Sequence, residues 1–240
     1  MEQTELEGYR IDEEIYRICL ESISEYCKNY GIAGGSGVSL QVYQKGGMNA
    51  TRKTDDIDIS IYPQPTKSEM SCQFGHDIRD YLYDKGYLVK FNKPKMNYEI
   101  EVSKEAIESS LLKAVKSPYY HLIEYAEPIN KEPFFLHFSR RSKKYLDLFG
   151  ERIKREVENA YEVKIPDTKE YIQVIRPEDL IMPKLMRRKE KDMQDIKLLI
   201  RYAKLDVNYL KEYANDWYHE EKLTEDMLSI FNGLYNKYKL

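Results

Sequence analysis

The chain has 240 residues, 42% of them apolar and 33% charged, with a net charge of −3. That balance excludes a disordered chain, and no apolar run is long enough to span a bilayer. The acidic, polar stretch 1–14 reads as neither a secretory signal nor a basic transit peptide, so a cytoplasmic location is expected.

In chain order, Ile11, Ile15, Ile18 and Ile23 recur at helical spacing beside Cys19 and Cys27, and Gly31 follows as a C-cap. The three cysteines (Cys19, Cys27, Cys72) form no CxxC pair and are expected as buried thiols in a reducing compartment. Residues 31–47 are glycine-rich, then apolar. Val38, Leu40 and Val42 alternate as in a strand, yet Gly34-Gly35-Ser36 equally opens a helix, and pattern leaves both readings standing. Residues 56–61 predict a strand, with three isoleucines on one face and Asp56, Asp58 and Ser60 on the other.

A helix carrying Met70, Phe74, Ile78 and Leu82 should stop at Gly86. Strands follow at 87–91 and 97–102, joined by a turn at Pro94. Residues 104–116 read as helical, 134–138 as a strand and 141–160 as a basic helix. From Pro177 the chain is helical, with Pro177 in a first turn and Asp206 and Thr224 as N-caps. The fold class is therefore α/β (α+β): a mixed sheet with flanking helices, plus a mainly helical C-terminal part. A soft boundary near 170–176 separates an α/β part, 1–170, from a helical part, 171–240, and the two are expected to share a core.

Two stretches are basic. Residues 139–155 hold Arg140, Arg141, Lys143, Lys144, Arg152, Lys154 and Arg155 against Asp147 and Glu151. Residues 184–191 hold Lys184, Arg187, Arg188, Lys189 and Lys191 against Glu190. Each reads either as a solvated helix face or as a phosphate or RNA contact.

Chemistry is carried first by the paired aspartates. Asp56 and Asp58 project from one face of a strand, roughly 6–7 Å apart at the backbone, a pattern that by itself also fits a strand with an acidic solvent face. Hard cations prefer such oxygen ligands, and two ions can serve both the attacking and leaving oxygens of a phosphoryl transfer. Gly34 and Gly35 let backbone N–H groups approach a phosphate, and the Ser36 hydroxyl adds a donor. No GxSxG, GxxxxGK[ST] or GxGxxG motif occurs, which removes the common hydrolase, P-loop and Rossmann readings. His76, His121, His137 and His219 lack zinc-site spacing.

The segments GGSGVSL (34–40) and RKTDDIDIS (52–60) resemble the Gly-Gly-Ser/Thr and Arg-x-Ser/Thr-x-Asp-Ile-Asp signature of AbiEii-like nucleotidyltransferases. These belong to the polymerase-β superfamily and include type IV toxin–antitoxin toxins. A second block is similar too: Pro177-Glu178-Asp179-Leu180, Lys184-Leu185, Arg187, then Lys191-Asp192-Met193-Gln194-Asp195-Ile196. The two blocks, spanning 34–60 and 177–196, cover about a fifth of the chain.

The resemblance implies a set of roles. Gly34, Gly35, Ser36 and Arg52 would hold the nucleotide, and Asp56 and Asp58 would bind magnesium, as two ions, with manganese as the alternative. Lys184 would meet the phosphates beside Arg187, and Asp192 or Asp195 would complete the pocket. The superfamily adds a third carboxylate from a neighbouring strand. Ile100-Glu101-Val102 fits, so Glu101 is the expected third acid; Glu99 shares its face, and His137 is assigned to core or surface. Asp58 or Glu101 would help take the acceptor's proton. The implied acceptor is RNA, guided by the basic runs, with an antitoxin protein as partner. An antibiotic-modifying transferase and a degenerate nucleotide-binding protein are the alternatives. Two features depart from the family. The interval 36–55 is longer, with an extra loop around 46–50, and Pro183 should kink its helix and displace Lys184.

Overall fold

The alternating isoleucines of 56–61 make the middle strand of a seven-stranded mixed sheet. A computed structural model describes residues 9–64, 75–92, 97–104, 134–139, 143–219 and 224–238. Their strands are β1 (Tyr30–Ile32), β2 (Asp56–Ile61), β3 (Tyr87–Asn92), β4 (Asn97–Lys104), β5 (Phe134–Ser139), β6 (Tyr161–Lys164) and β7 (Tyr171–Val174). The spatial order is β3-β4-β5-β2-β1-β7-β6. β2 runs parallel to β5 and β1 parallel to β7, while the other neighbours are antiparallel.

Eight α-helices accompany the sheet among the described residues: α1 (Glu14–Tyr26), α2 (Gly34–Gly46), α3 (Gly75–Asp84), α4 (Lys143–Glu158), α5 (Pro177–Arg187), α6 (Glu190–Tyr202), α7 (Val207–His219) and α8 (Glu225–Tyr238). Ile57, Ile59 and Ile61 bury completely or nearly so in one core with Tyr16, Leu20 and Ile23 of α1. Each such side chain contributes about 1.5–3 kcal/mol by leaving water. A second core gathers Val38 and Val42 of α2 with Leu180, Leu185, Ile196, Leu199 and Trp217 from the C-terminal helices. α2 thus lies between the sheet and the helical half, and residues 35–42 are all buried. Burial on every side explains why Val38, Leu40 and Val42 show no helical stripe.

Several sequence expectations change. Gly31 does not cap α1, which ends at Cys27; it lies inside β1, where a Cβ would come within 2.7 Å of Ile175. The strand-or-helix ambiguity of 31–47 resolves into a short strand and then a helix. Strand β4 runs on through Lys104, and the remainder of the helix expected over 104–116 falls outside the described residues, as do Met70, Cys72, Phe74 and Pro94. β6 and β7 flank residue 170, and β7 pairs with β1 at Val174 and Ile32. The proposed boundary therefore falls inside the sheet. The caps behave as expected: Asp206 Oδ1 accepts from the Tyr209 N–H (3.1 Å) and Thr224 Oγ1 from the Met227 N–H (3.4 Å). α5 continues through Pro183 and ends at Arg188, whose φ is 51°.

Candidate active site and metal centre

The pleat of β2 sends Asp56 and Asp58 to the face opposite the isoleucine core, where both stay partly open to solvent. Neighbouring β5 sets Leu136 and Phe138 into the core, so the intervening His137 emerges on the aspartate side. Its backbone is the register partner of Asp58. His137 Nδ1 lies 3.4 Å from Asp56 Oδ2 and 3.8 Å from Asp58 Oδ1. One ligand atom from each of the three residues falls within 4.8 Å of the others.

Electrostatics tie this cluster together. Hydrogen bonding to Asp56 and Asp58 raises the His137 imidazole to about 10, against the opposing effect of burial. Burial would raise Asp56, but hydrogen bonds from His137 and Thr54 outweigh it and hold the carboxyl below its ordinary range. Thr54 Oγ1 donates to Asp56 Oδ1 at 3.0 Å. Lys191, exposed at the start of α6, adds its charge in the same direction.

Two glycines make room for charged side chains. Gly34 has φ +61°, and a Cβ there would stand 1.9 Å from Asp58 Oδ2. A Cβ at Gly35 would stand 2.2 Å from the Arg52 guanidinium. The helix they open has Ala33 as its N-cap, which supplies no side-chain oxygen. The first turn of α2 therefore receives no side-chain cap where it begins beside Asp58. The Ala33 N–H itself donates to the Asp58 carbonyl at 2.8 Å.

Other expected site residues form hydrogen bonds within the fold. Ser36 is fully buried, and its hydroxyl donates to the Asp56 carbonyl at 2.5 Å. Arg52 Nε donates to Asp195 Oδ1 (2.6 Å) and its terminal nitrogen to Asp195 Oδ2 (3.1 Å). Lys184, expected at the phosphates, is 3% exposed with Nζ 2.7 Å from Asp195 Oδ2. Its ammonium joins α5 to α6 and, through Asp195, to Arg52. Arg187 closes the cluster on buried Asp192 at 2.7 Å. Continuing the helix through Pro183 places Lys184 inward, into this network.

Glu101, the expected third acid, is on β4, and β5 separates β4 from β2. Its backbone pairs with Phe135, while Glu99 pairs with His137; both of those glutamate side chains fall outside the described ones. His137 is the neighbour that sequence reading set aside. Its signal was present, because Leu136-His137-Phe138 has the same apolar–polar–apolar pattern as Ile100-Glu101-Val102.

Of the basic run 139–155, Arg152 lies over the Trp217 ring at 5.4 Å and pairs with Glu156 at 2.9 Å, while Arg155 stacks 3.7 Å from the Tyr213 ring centroid. Those cations fasten α4 to α7. The side chains of Arg140, Arg141, Lys143 and Lys144 lie outside the described ones. Arg187, Arg188, Lys189 and Lys191 are exposed at the α5–α6 junction.

Two carboxylates and an imidazole whose ligand atoms lie this close could hold a cation, and a glycine-opened helix N-terminus beside them could receive a phosphate. That is the equipment of a phosphoryl- or nucleotidyl-transferring enzyme. Residues 155–239 match a family described as "Nucleotidyltransferase of unknown function (DUF6036)". This match supports a transferase. Among solved structures the chain is similar to an antigenic nucleotidyltransferase-like protein from Paracoccidioides brasiliensis, with 13% identity and a TM-score of 0.47, over 89% of this chain and 90% of that one. No curated protein matches the chain. No helix among the described residues is long and apolar enough to cross a membrane.

Proposed function

We propose that the protein transfers a nucleoside monophosphate from a nucleoside triphosphate to an acceptor hydroxyl, with release of pyrophosphate, in the manner of AbiEii-like enzymes. The observation that carries this reading is the convergence of Asp56, Asp58 and His137 at the N-terminus of α2. Two carboxylates and an imidazole within 4.8 Å fit a divalent cation. The glycine cradle leaves room for the Asp58 carboxylate that would bind it. When bound, the ion supplies charge neutralisation at the triphosphate and lowers the pKa of the acceptor hydroxyl; magnesium is the ion the family resemblance implies.

The chain's own groups do the rest. The first-turn N–H groups of α2 orient the triphosphate oxygens. Asp58, the more open of the two aspartates, is the group to accept the acceptor's proton. Arg52, Asp195 and Lys184 hold the glycine turn against the helical half, so phosphate and carboxylates stay aligned. We take RNA as the acceptor because Lys191, one of the exposed cations at the α5–α6 junction, brings its charge to Asp56. An antitoxin protein would be the regulatory partner.

The test is incubation with each α-labelled triphosphate, a divalent ion and total RNA. Label in RNA that disappears with Asp58→Asn is the expected result. Release of no pyrophosphate with any triphosphate would overturn the reading. A second reading, nucleotide binding without transfer, has one observation in its favour: the His137 imidazole already stands between both carboxylates. Tight triphosphate binding without turnover under every ion would establish it.

A further inference from the structure

The residue in the third position of the cluster is an imidazole, and imidazole and carboxylate do not treat cations alike. Magnesium takes oxygen ligands in a near-octahedral shell and dehydrates reluctantly. Imidazole nitrogen favours first-row transition ions, whose affinities rise from manganese through iron and cobalt. A site of two carboxylates and one imidazole therefore separates the two groups of ions more sharply than three carboxylates would.

The geometry points to His137 as an inner-sphere ligand that makes this centre select a first-row transition ion over magnesium. Three observations place it there. Parallel pairing of β2 and β5 makes His137 the register partner of Asp58, so its orientation is set by the sheet itself. Leu136 and Phe138, exposed 0% and 1%, anchor the strand on either side and hold the imidazole on the aspartate face. It is the Nδ1 atom that faces both carboxylates, at 3.4 and 3.8 Å, and an ion seated among the three would take the place of the Nδ1 proton, which leaves to solvent. The partial exposure of all three side chains, 28%, 28% and 39%, leaves open coordination positions for the triphosphate oxygens. This inference deepens the nucleotidyl-transfer reading of the same site and depends on it for the identity of the second substrate only.

The test uses the full chain without nucleotide. Mn2+, the weakest binder of the transition series, and Mg2+ are titrated by calorimetry, and bound Mn2+ is examined by pulsed electron paramagnetic resonance for nitrogen hyperfine coupling. The expected result is Mn2+ binding at least about tenfold tighter than Mg2+, with imidazole nitrogen coupling. In His137→Asp the coupling should vanish and the Mn2+ preference should fall by roughly tenfold. His137→Gln, which adds no charge, should also lose the coupling, and circular dichroism checks that both variants fold. Bound Mn2+ without nitrogen coupling in the unaltered protein would overturn the role of His137 and leave the transfer reading standing. Mn2+ binding that survives both Asp56→Asn and Asp58→Asn would overturn both together.

Discussion

Asp58 and His137 are register partners on adjacent parallel strands, and their side chains meet at 3.8 Å on the face of the sheet that α1 does not cover. Asp56, one pleat away, is 3.4 Å from the same nitrogen. Replacing either aspartate by asparagine removes a charged oxygen while keeping its shape. Nucleotidyl transfer should fall on the order of a thousandfold in each variant, with the thermal transition unchanged within a few degrees. Labelled-triphosphate assays beside a melting curve check both halves, and an active Asp58→Asn protein would rule out the metal centre.

Gly34 is where backbone and chemistry collide. Its φ of +61° disfavours any side chain, and a methyl group there would overlap the Asp58 carboxylate at 1.9 Å. Gly34→Ala should cost about 1–2 kcal/mol for the left-handed backbone alone and also push Asp58 out of the cluster. Divalent-ion affinity should therefore drop more than stability does. Calorimetric titration alongside denaturant unfolding separates the two, and full ion affinity in Gly34→Ala would mean that the carboxylate has another seat.

Lys184 and Lys191 offer a contrast between a buried and an exposed lysine on the same helical pair. Lys184→Ala leaves Asp195 with Arg52 as its remaining cation, and loss of a buried partner should lower stability by about 3 kcal/mol. Lys191→Ala should leave the melting temperature nearly unchanged while weakening triphosphate binding by about 1 kcal/mol. Unfolding curves and nucleotide titrations on the two variants test the assignment. The reverse pattern would return Lys184 to the phosphates.

Asp179 gives a pH prediction. Burial raises its carboxyl above the ordinary range, against the Tyr209 hydroxyl, which donates to it at 2.9 Å. A raised acid binds its proton more tightly folded than unfolded. Its contribution to stability is thus present near pH 4 and lost as pH rises through the folded value. Asp179→Asn keeps an acceptor for Tyr209 and removes the buried charge. Relative to the unaltered protein, its melting temperature should rise more at pH 7 than at pH 4. An equal change at both values would show that Arg155 and Arg176 fully compensate the carboxylate.

Read alone, the chain shows what local periodicity and residue chemistry encode. The alternation at 56–61 marks β2 and puts Asp56 and Asp58 on one face, and the structure finds them there. Pro177, Asp206 and Thr224 mark helix starts, because a missing N–H or a capping oxygen acts within one turn. What tertiary structure decided depends on partners far along the chain. That His137 stands beside the aspartates follows from β5 pairing with β2, a contact across about eighty residues that no local pattern specifies. Val38, Leu40 and Val42 belong to a helix because sheet and helical half cover it from both sides, which erases its amphipathic stripe. Lys184, placed at the phosphates by the resemblance, is held by Asp195 of the same block and, through it, joined to Arg52 from far earlier in the chain. An ammonium buried at that depth needs carboxylate partners, and Asp195 at 2.7 Å and Asp192 at 4.0 Å supply them.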